Sequence, residues 1–171
     1  MKQPSREHDE SYTAYVTARS LWLQRVAYLL CHDWQRSGDL VQTTVTQLYA
    51  HWPKAGGIDN LDGYTRTILV RAYLSEQRSA WWRRVSVTAD PPDAATDPVA
   101  YETSLDLRAA LAALPPRQRA AVVLRFYCDL TVERTAEELR CSPGTVKSQT
   151  SRALTALRRT LEPTALEGDR P

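Results

Sequence analysis

The stretch Arg140-Cys141-Ser142-Pro143-Gly144-Thr145 joins two segments whose apolar residues recur with helical spacing. Ser142 belongs to the residue types that cap helix N-termini, and Pro143 suits the first helical position, where an N–H is not needed. Upstream, Thr131 caps a short helix that ends near Leu139; downstream, a longer helix runs to about Leu161. This order predicts a helix-turn-helix, the alternative being two helices that only pack together.

The longer helix has an outer face that is small, hydroxylated and basic. It turns Val146, Ala153, Leu154, Leu157 and Leu161 inward, and it carries four bases and no acid. Small hydroxyl side chains allow close approach to a major groove, while Lys and Arg reach phosphates or guanine edges. The alternative is an ordinary solvated face. The predicted DNA contacts are Ser142, Gly144, Thr145, Lys147, Ser148, Ser151, Arg152 and Thr155.

The rest of the chain is also predicted to be helical, because no segment alternates with a period of two. One helix covers residues 11–30, a second covers about 36–52, and a third begins near Asp62. Another helix, capped by Ser104, precedes Pro115-Pro116. The residues predicted to point inward are Tyr15, Ala18, Trp22, Val26 and Leu29 in the first helix, Val41, Val45, Leu48 and Trp52 in the second, Tyr64, Ile68 and Ala72 in the third, and Leu107, Leu111 and Leu114 in the fourth.

Aromatic and guanidinium side chains are interleaved in the third helix. If that helix is unbroken, Arg66, Tyr73, Gln77, Trp81 and Arg84 share one face. Rings on which bases stack, beside arginines that hold the backbone, suit single-stranded DNA. The alternative is that Trp81 and Trp82 are core residues at a helix end. The neighbouring predicted contacts are Arg71, Arg78, Trp82 and Arg83.

Charge divides the chain into two basic parts and an acidic tether. Residues 1–87 have a net charge of +3, residues 88–104 of −4, and residues 105–161 of +5. The acidic part is rich in proline and aspartate and is typical of a flexible linker. The predicted fold is therefore all-α, with small helical domains at 11–87 and 105–161 joined by a linker at 88–104. Basic domains favour a polyanionic partner such as nucleic acid, because bound phosphates release counterions.

These features carry a family resemblance. The motifs Leu114-Pro115-Pro116-Arg117-Gln118-Arg119, Val123-Leu124-Arg125-Phe126-Tyr127 and Cys141 through Ser148 resemble those of extracytoplasmic-function (ECF, group IV) sigma factors of bacterial RNA polymerase, SigE-type group. Asp39-Leu40-Val41-Gln42 and the segment from Tyr64 to Arg84 add to the likeness, which spans roughly residues 12–161.

The resemblance implies a sigma factor that directs core RNA polymerase to specific promoters and promotes DNA melting. Residues 11–87 would be sigma region 2, which binds the polymerase and the −10 element, and residues 105–161 would be region 4, which reads the −35 element. The arginines and aromatics of the third helix would then be −10 contacts. Core polymerase would be bound through Asp39, Leu40, Gln42 and Gln47. The implied partners are the clamp of the β′ subunit, the flap of the β subunit, promoter DNA and an anti-sigma factor.

The sequence gives little support for other classes of function. A stand-alone helix-turn-helix regulator remains the alternative, but it would give the third helix no role. No enzyme motif is present, and His8, His32 and His51 are isolated, so we expect no catalysis, cofactor or metal. We find no apolar run long enough to span a membrane and no secretory signal. The three cysteines contain no C-x-x-C pair, which suits a reducing compartment. We therefore expect a cytoplasmic protein without a membrane partner.

Overall fold

The computed structural model describes residues 6–55, 57–86 and 105–162. The chain divides into two compact units, Met1–Thr96 and Asp97–Pro171. The described residues are helical and contain no strand, which confirms the all-α fold. The predicted linker at 88–104, with the predicted cap Ser104, lies outside the described residues. No helix in the described ranges is long and apolar enough to cross a membrane.

The described residues of the N-terminal unit form three long helices. They are α1 (Arg6–Cys31), α2 (Trp34–Ala55) and α3 (Leu61–Ser86). Helix α2 packs against both α1 and α3. Its predicted inward residues Val41, Val45, Leu48 and Trp52 are all buried, which confirms that stripe.

The stripe predicted for α1 is confirmed at Val26, which is fully buried, and Tyr15 is half-buried, but the prediction is wrong at other positions. Ala18 is exposed, and Trp22 and Leu29 are only half-buried, whereas Leu23 and Leu30 are fully buried. Because Leu21, Trp22 and Leu23 are consecutive apolar residues, spacing alone does not show which of them faces α2. The fully buried Leu23 faces the core, and Leu21 is 57% exposed.

The start of α3 is tied to α1 by a polar cluster. The Tyr15 hydroxyl donates to Asp62 Oδ1 at 2.9 Å and lies 2.9 Å from the Thr65 hydroxyl. Arg19 pairs with the same carboxylate at 2.8 Å. Burial, opposed by the Thr65 hydrogen bond and reinforced by Asp62, raises the pKa of Tyr15 to about 12. The cluster therefore holds neutral Tyr15 between the two helices.

Within the C-terminal unit, residues 105–162 form four shorter helices. They are α4 (Leu105–Ala113), α5 (Pro116–Val122), α6 (Val132–Leu139) and α7 (Pro143–Leu161), and a π-helical turn, Val123–Tyr127, extends α5. Helix α7 packs against α4, α5 and α6. Its residues Val146, Ala153 and Leu157 are buried as predicted. Leu154 is half-buried and Leu161 is 39% exposed, so the predicted stripe is too wide at these two positions.

Candidate nucleic-acid interface

The turn between α6 and α7 has the geometry of a helix-turn-helix. The Thr131 hydroxyl caps α6 by accepting from Arg134 N at 3.1 Å. At the other end, Cys141 N donates to Ala136 O and Arg140 N to Glu137 O, with Arg140 at a φ of 52°, which is a Schellman motif. Left-handed backbone at this position reverses the chain in three residues.

The N-terminus of α7 is fixed as the sequence predicts. Ser142 Oγ accepts from Thr145 N at 3.1 Å, and Pro143 occupies the first turn. The Ser142 and Thr145 hydroxyls also lie 2.9 Å apart, so both are engaged in the cap. These two residues therefore set the direction of α7 and place Gly144 at its exposed tip.

The structure brings the predicted α7 residues to one continuous face. Seven of the eight are exposed along successive turns, namely Ser142, Gly144, Lys147, Ser148, Ser151, Arg152 and Thr155; Thr145 is half-buried. No acidic side chain lies within Pro143–Leu161. The face therefore has the small outline and positive charge that the sequence indicates for a groove-binding helix.

The predicted single-strand face of α3 is only partly at the surface. Tyr73 is fully buried and Arg66 is 7% exposed, so the prediction that these two side chains contact DNA is wrong. They share the inward stripe with Leu69 and Val70, because a face at helical spacing can be core over one stretch and solvent over the next. Tyr64, Ile68 and Ala72 were predicted to point inward. Each is half-buried and lies next in sequence to a buried residue.

The end of α3 places two tryptophans in solvent. Trp81 is 59% and Trp82 is 66% exposed, and their rings meet edge to face at 4.9 Å with an interplanar angle of 77°. Arg71, Arg78 and Arg83 are exposed and Gln77 is half-buried; the Arg84 side chain lies outside the described residues. Since large aromatic side chains are usually buried, an exposed pair beside guanidinium groups is an unusual surface feature.

The predicted polymerase contacts on α2 separate into surface and core. Asp39, Gln42 and Gln47 are exposed, whereas Leu40 is fully buried on the inward stripe with Thr44 and Leu48. The prediction of a direct Leu40 contact with a partner is therefore wrong. Its side chain supports α2 from inside and leaves polar groups on the outer face.

Glu76 connects the surfaces of α2 and α3. Burial raises the pKa of its carboxyl, with smaller opposing influences from Arg36 and Arg83 and a reinforcing one from Asp39. Asp39 belongs to the predicted polymerase face and Arg83 to the predicted single-strand face. Charged groups of both faces therefore act on the Glu76 carboxyl. The sequence did not reveal this, because Arg36 and Asp39 lie on α2 whereas Glu76 and Arg83 lie on α3.

A cleft beside α7 was also missed from the sequence. It has a volume of about 320 Å³ and is lined by Arg125, Val132, Lys147, Thr150, Ser151, Leu154, Thr155 and Arg158. The only sequence signal was the basic composition of α7, since Arg125 comes from the π-helical turn.

No group of three His, Cys, Asp or Glu residues suited to a metal occurs in the part of the chain that the structure describes.

Comparisons with known proteins agree with this geometry. The family described as Sigma-70, region 4, matches residues 104–157, which include α4 to most of α7. The chain is 35% identical over 158 residues to the RNA polymerase sigma-E factor of Streptomyces avermitilis, covering 88% of this chain and 85% of that protein. It is 30% identical over 152 residues to the ECF RNA polymerase sigma factor SigL of Mycobacterium tuberculosis, covering 85% and 84%.

A solved structure is similar as well. The sigma factor RpoE of Bartonella quintana, crystallised with the anti-sigma factor NepR, is 26% identical, with a TM-score of 0.74 over 90% of this chain and 98% of that one. These likenesses favour a sigma factor over a stand-alone regulator and imply RNA polymerase and promoter DNA as partners. With a helix-turn-helix in one unit and an exposed arginine and tryptophan surface in the other, the chain belongs to the ECF sigma factors, which direct RNA polymerase in transcription initiation.

Proposed function

We propose that the two units divide promoter recognition between them. In the C-terminal unit, α7 enters the major groove of the −35 element, with Lys147, Ser148, Ser151 and Arg152 facing the bases and phosphates. The observation that carries this assignment is the exposed, acid-free face of α7 behind a capped three-residue turn. Ser142 and Thr145 act as positioning residues, because their hydroxyls are already engaged with each other.

In the N-terminal unit, the end of α3 captures unpaired bases of the −10 element. Trp81 and Trp82 offer ring faces and edges for stacking, while Arg78 and Arg83 hold the backbone. Bases become available to these rings only when the duplex opens. Their capture therefore stabilises the open state and promotes DNA melting through binding energy alone, with no catalytic step.

The outer face of α2 contacts core RNA polymerase. Asp39, Gln42 and Gln47 are exposed polar groups on one rigid helix, which suits recognition of a partner helix such as the β′ clamp. The C-terminal unit contacts the β flap. Because the RpoE relative was crystallised with an anti-sigma factor, we extend such a partner to this chain. We assign the protein to the cytoplasm, as a binding protein rather than an enzyme.

Transcription in vitro tests this division. Core RNA polymerase is supplied with fragmented host DNA, with and without the protein, and RNA 5′ ends are mapped. We expect discrete starts that depend on the protein and share two upstream motifs at a fixed spacing. Combined Lys147→Ala and Arg152→Ala substitutions should abolish most of these starts.

Arg6→Ala is the matched control, because it removes an exposed cation from the N-terminal unit. It should leave the starts unchanged. An equal loss in the control would show a general charge effect, and the absence of protein-dependent starts would overturn the proposal.

A further inference from the structure

The end of α3 combines two exposed rings with positive charge. Trp81 and Trp82 are 59% and 66% exposed. Arg78 lies three and four residues before them, which places its guanidinium on the same side of the helix as both rings. Arg78 forms no ion pair with any residue in the described ranges. The arginine–tryptophan surface, formed by Arg78, Trp81, Trp82 and Arg83, therefore suits an acidic partner that also offers apolar contacts.

A segment with the complementary composition follows in the same chain. Helix α3 ends at Ser86, and the sequence continues into the acidic linker with Asp90-Pro91-Pro92-Asp93. Residues 88–104 have a net charge of −4 and contain no base. Proline favours the extended polyproline II conformation, which aromatic side chains bind in several peptide-recognition domains. One short run thus supplies carboxylates for the arginines and apolar rings for the tryptophans.

The chain after Ser86 is long enough for this segment to reach the surface. At 1.5 Å per residue, the two tryptophans lie about 6–8 Å before Ser86 along the helix axis, and Arg78 lies about 12 Å before it. At about 3.5 Å per residue, Pro91 can extend to about 17 Å from Ser86, and Asp93 to about 24 Å. Residues 87–90 therefore leave enough chain to reverse direction before the first proline.

The order of the residues also matches if the segment runs back along α3. From the end of the helix, the surface has one arginine, two tryptophans and a second arginine; along the linker come one aspartate, two prolines and a second aspartate. The carboxylates are about 9 Å apart along a polyproline II segment. Arg78 and Arg83 are about 7.5 Å apart along the helix axis. Because arginine side chains are long, Asp93 can pair with Arg78 while Asp90 lies near Arg83.

We propose that Asp90-Pro91-Pro92-Asp93 binds the arginine–tryptophan surface of the same chain when DNA is absent. The prolines pack on the two indole rings, and the aspartates pair with the arginines. Because the segment is joined to α3 by only a few residues, its effective concentration is about millimolar, so a weak contact suffices to occupy the surface. Unpaired bases need the same rings, so the segment competes with single-stranded DNA. This competition rests on the proposed function, whereas the contact itself does not.

The first experiment detects the contact without DNA. The full chain is labelled with nitrogen-15 at its five tryptophans, and the indole N–H signals are recorded by NMR. Trp81→Phe and Trp82→Phe assign the two signals of interest. The four-residue variant, Asp90→Asn, Pro91→Ser, Pro92→Ser, Asp93→Asn, should shift both signals. Trp52 is the internal reference, because its Nε1 atom donates to Ser11 Oγ and its signal should not move.

A matched control separates this segment from general charge. Asp97→Asn, Glu102→Gln removes the same two negative charges from the linker and keeps Asp90-Pro91-Pro92-Asp93, so both signals should stay in place. An equal shift in the control would overturn the proposal, as would unmoved signals in the four-residue variant. Wild-type signals that move on dilution would also overturn it, because they would assign the surface to a second copy of the chain.

The second experiment measures the competition. Fluorescence anisotropy gives the affinity of the full chain alone for a short, labelled oligothymidylate. We expect the four-residue variant to bind about fivefold more tightly than the wild type, and the control of equal charge to gain less than about twofold. Adding Trp81→Ala to the wild type and to the four-residue variant should remove the difference between them, because the rings are what the segment covers.

The two experiments separate this inference from the proposed function. If the NMR signals shift but the affinities are equal, the segment binds the surface and the assignment of DNA capture to these rings fails. If Trp81→Ala weakens oligonucleotide binding but the signals do not shift, the assignment of DNA capture holds and the inference is overturned.

Discussion

The guanidinium of Arg119 closes the end of α4 by donating from Nε to the Leu111 carbonyl at 2.9 Å. Its Nη2 atom donates to the carbonyls of Ala112 and Leu114 at 2.8 and 2.9 Å. Carbonyls in the last turn of a helix have no partner within the helix, and a cation there also opposes the helix dipole. One buried side chain from α5 thus satisfies three carbonyls near the end of α4.

We expect Arg119→Met to destabilise the protein by about 3 kcal/mol, because it removes three hydrogen bonds from a charged donor, although Leu114 N still donates to the Leu111 carbonyl. Urea unfolding of the full chain, followed by circular dichroism, measures this change. Arg117→Met is the control: Arg117 is exposed and, among the described residues, donates to the Leu139 carbonyl alone, at 3.4 Å, so its loss should cost less than about 1 kcal/mol. Equal costs for the two variants would contradict the capping role.

Trp81→Ala should impair promoter melting more than duplex binding. Stacking of one base on an aromatic ring contributes about 1–3 kcal/mol, which predicts at least a fivefold loss of open complex. Permanganate reactivity of unpaired thymines measures melting, and a filter-binding assay measures affinity. Leu21→Ala, which truncates an exposed apolar side chain on α1, should change neither quantity. Normal thymine reactivity with Trp81→Ala would refute the stacking role.

Glu76→Gln should raise the unfolding temperature at pH 7. Burial raises the pKa of the folded carboxyl, so the folded state prefers the neutral form, and ionisation weakens stability as pH rises through that pKa. Gln avoids this loss, whereas below the unfolded pKa of about 4.5 the wild type and variant should converge. Thermal unfolding from pH 4 to 7 measures the difference. Glu7→Gln, at an exposed position in α1, should give no such gain, and a pH-independent difference for Glu76→Gln would contradict the explanation.

Two helical glycines should respond oppositely to alanine. At Gly38 an added Cβ meets nothing within 4 Å, so Gly38→Ala should stabilise the protein by about 0.5–1 kcal/mol. At Gly63 the new Cβ would lie 2.7 Å from Asn60 Nδ2, and Asn60 Oδ1 accepts from Gly63 N at 2.9 Å to cap α3. Gly63→Ala should disturb this cap and cost about 1 kcal/mol. Chemical denaturation measures both, and a stabilised Gly63→Ala would contradict the packing argument.

Local signals in the sequence predicted the second unit well. Thr131, Ser142 and Pro143 act on their immediate neighbours, so their capping positions could be predicted without knowing the tertiary structure. The α7 face followed for the same reason, since a single helix with only basic and small outer residues has one orientation that buries Val146 and Leu157.

Contacts between distant residues set the limit of prediction. The burial of Arg66, Tyr73 and Leu40 depends on which parts of α2 and α3 are covered by neighbouring helices. Helical spacing predicts which residues share a face, but it does not show how much of that face a neighbouring helix covers. The cleft beside α7 was hidden for a related reason: Arg125 joins it from the π-helical turn. The Schellman turn at Arg140 gave no signal either, because arginine is not the residue expected with left-handed backbone.

The caps of the C-terminal unit have a consequence for its folding rate. The Arg119 hydrogen bonds span five to eight residues, the Thr131 and Ser142 caps span three, and the hydrogen bond from Arg125 to Leu130 spans five. Chains whose stabilising contacts are short in sequence close small loops and fold on the microsecond to millisecond scale. Residues 105–162 should therefore fold within about a millisecond, much faster than a ribosome adds one residue.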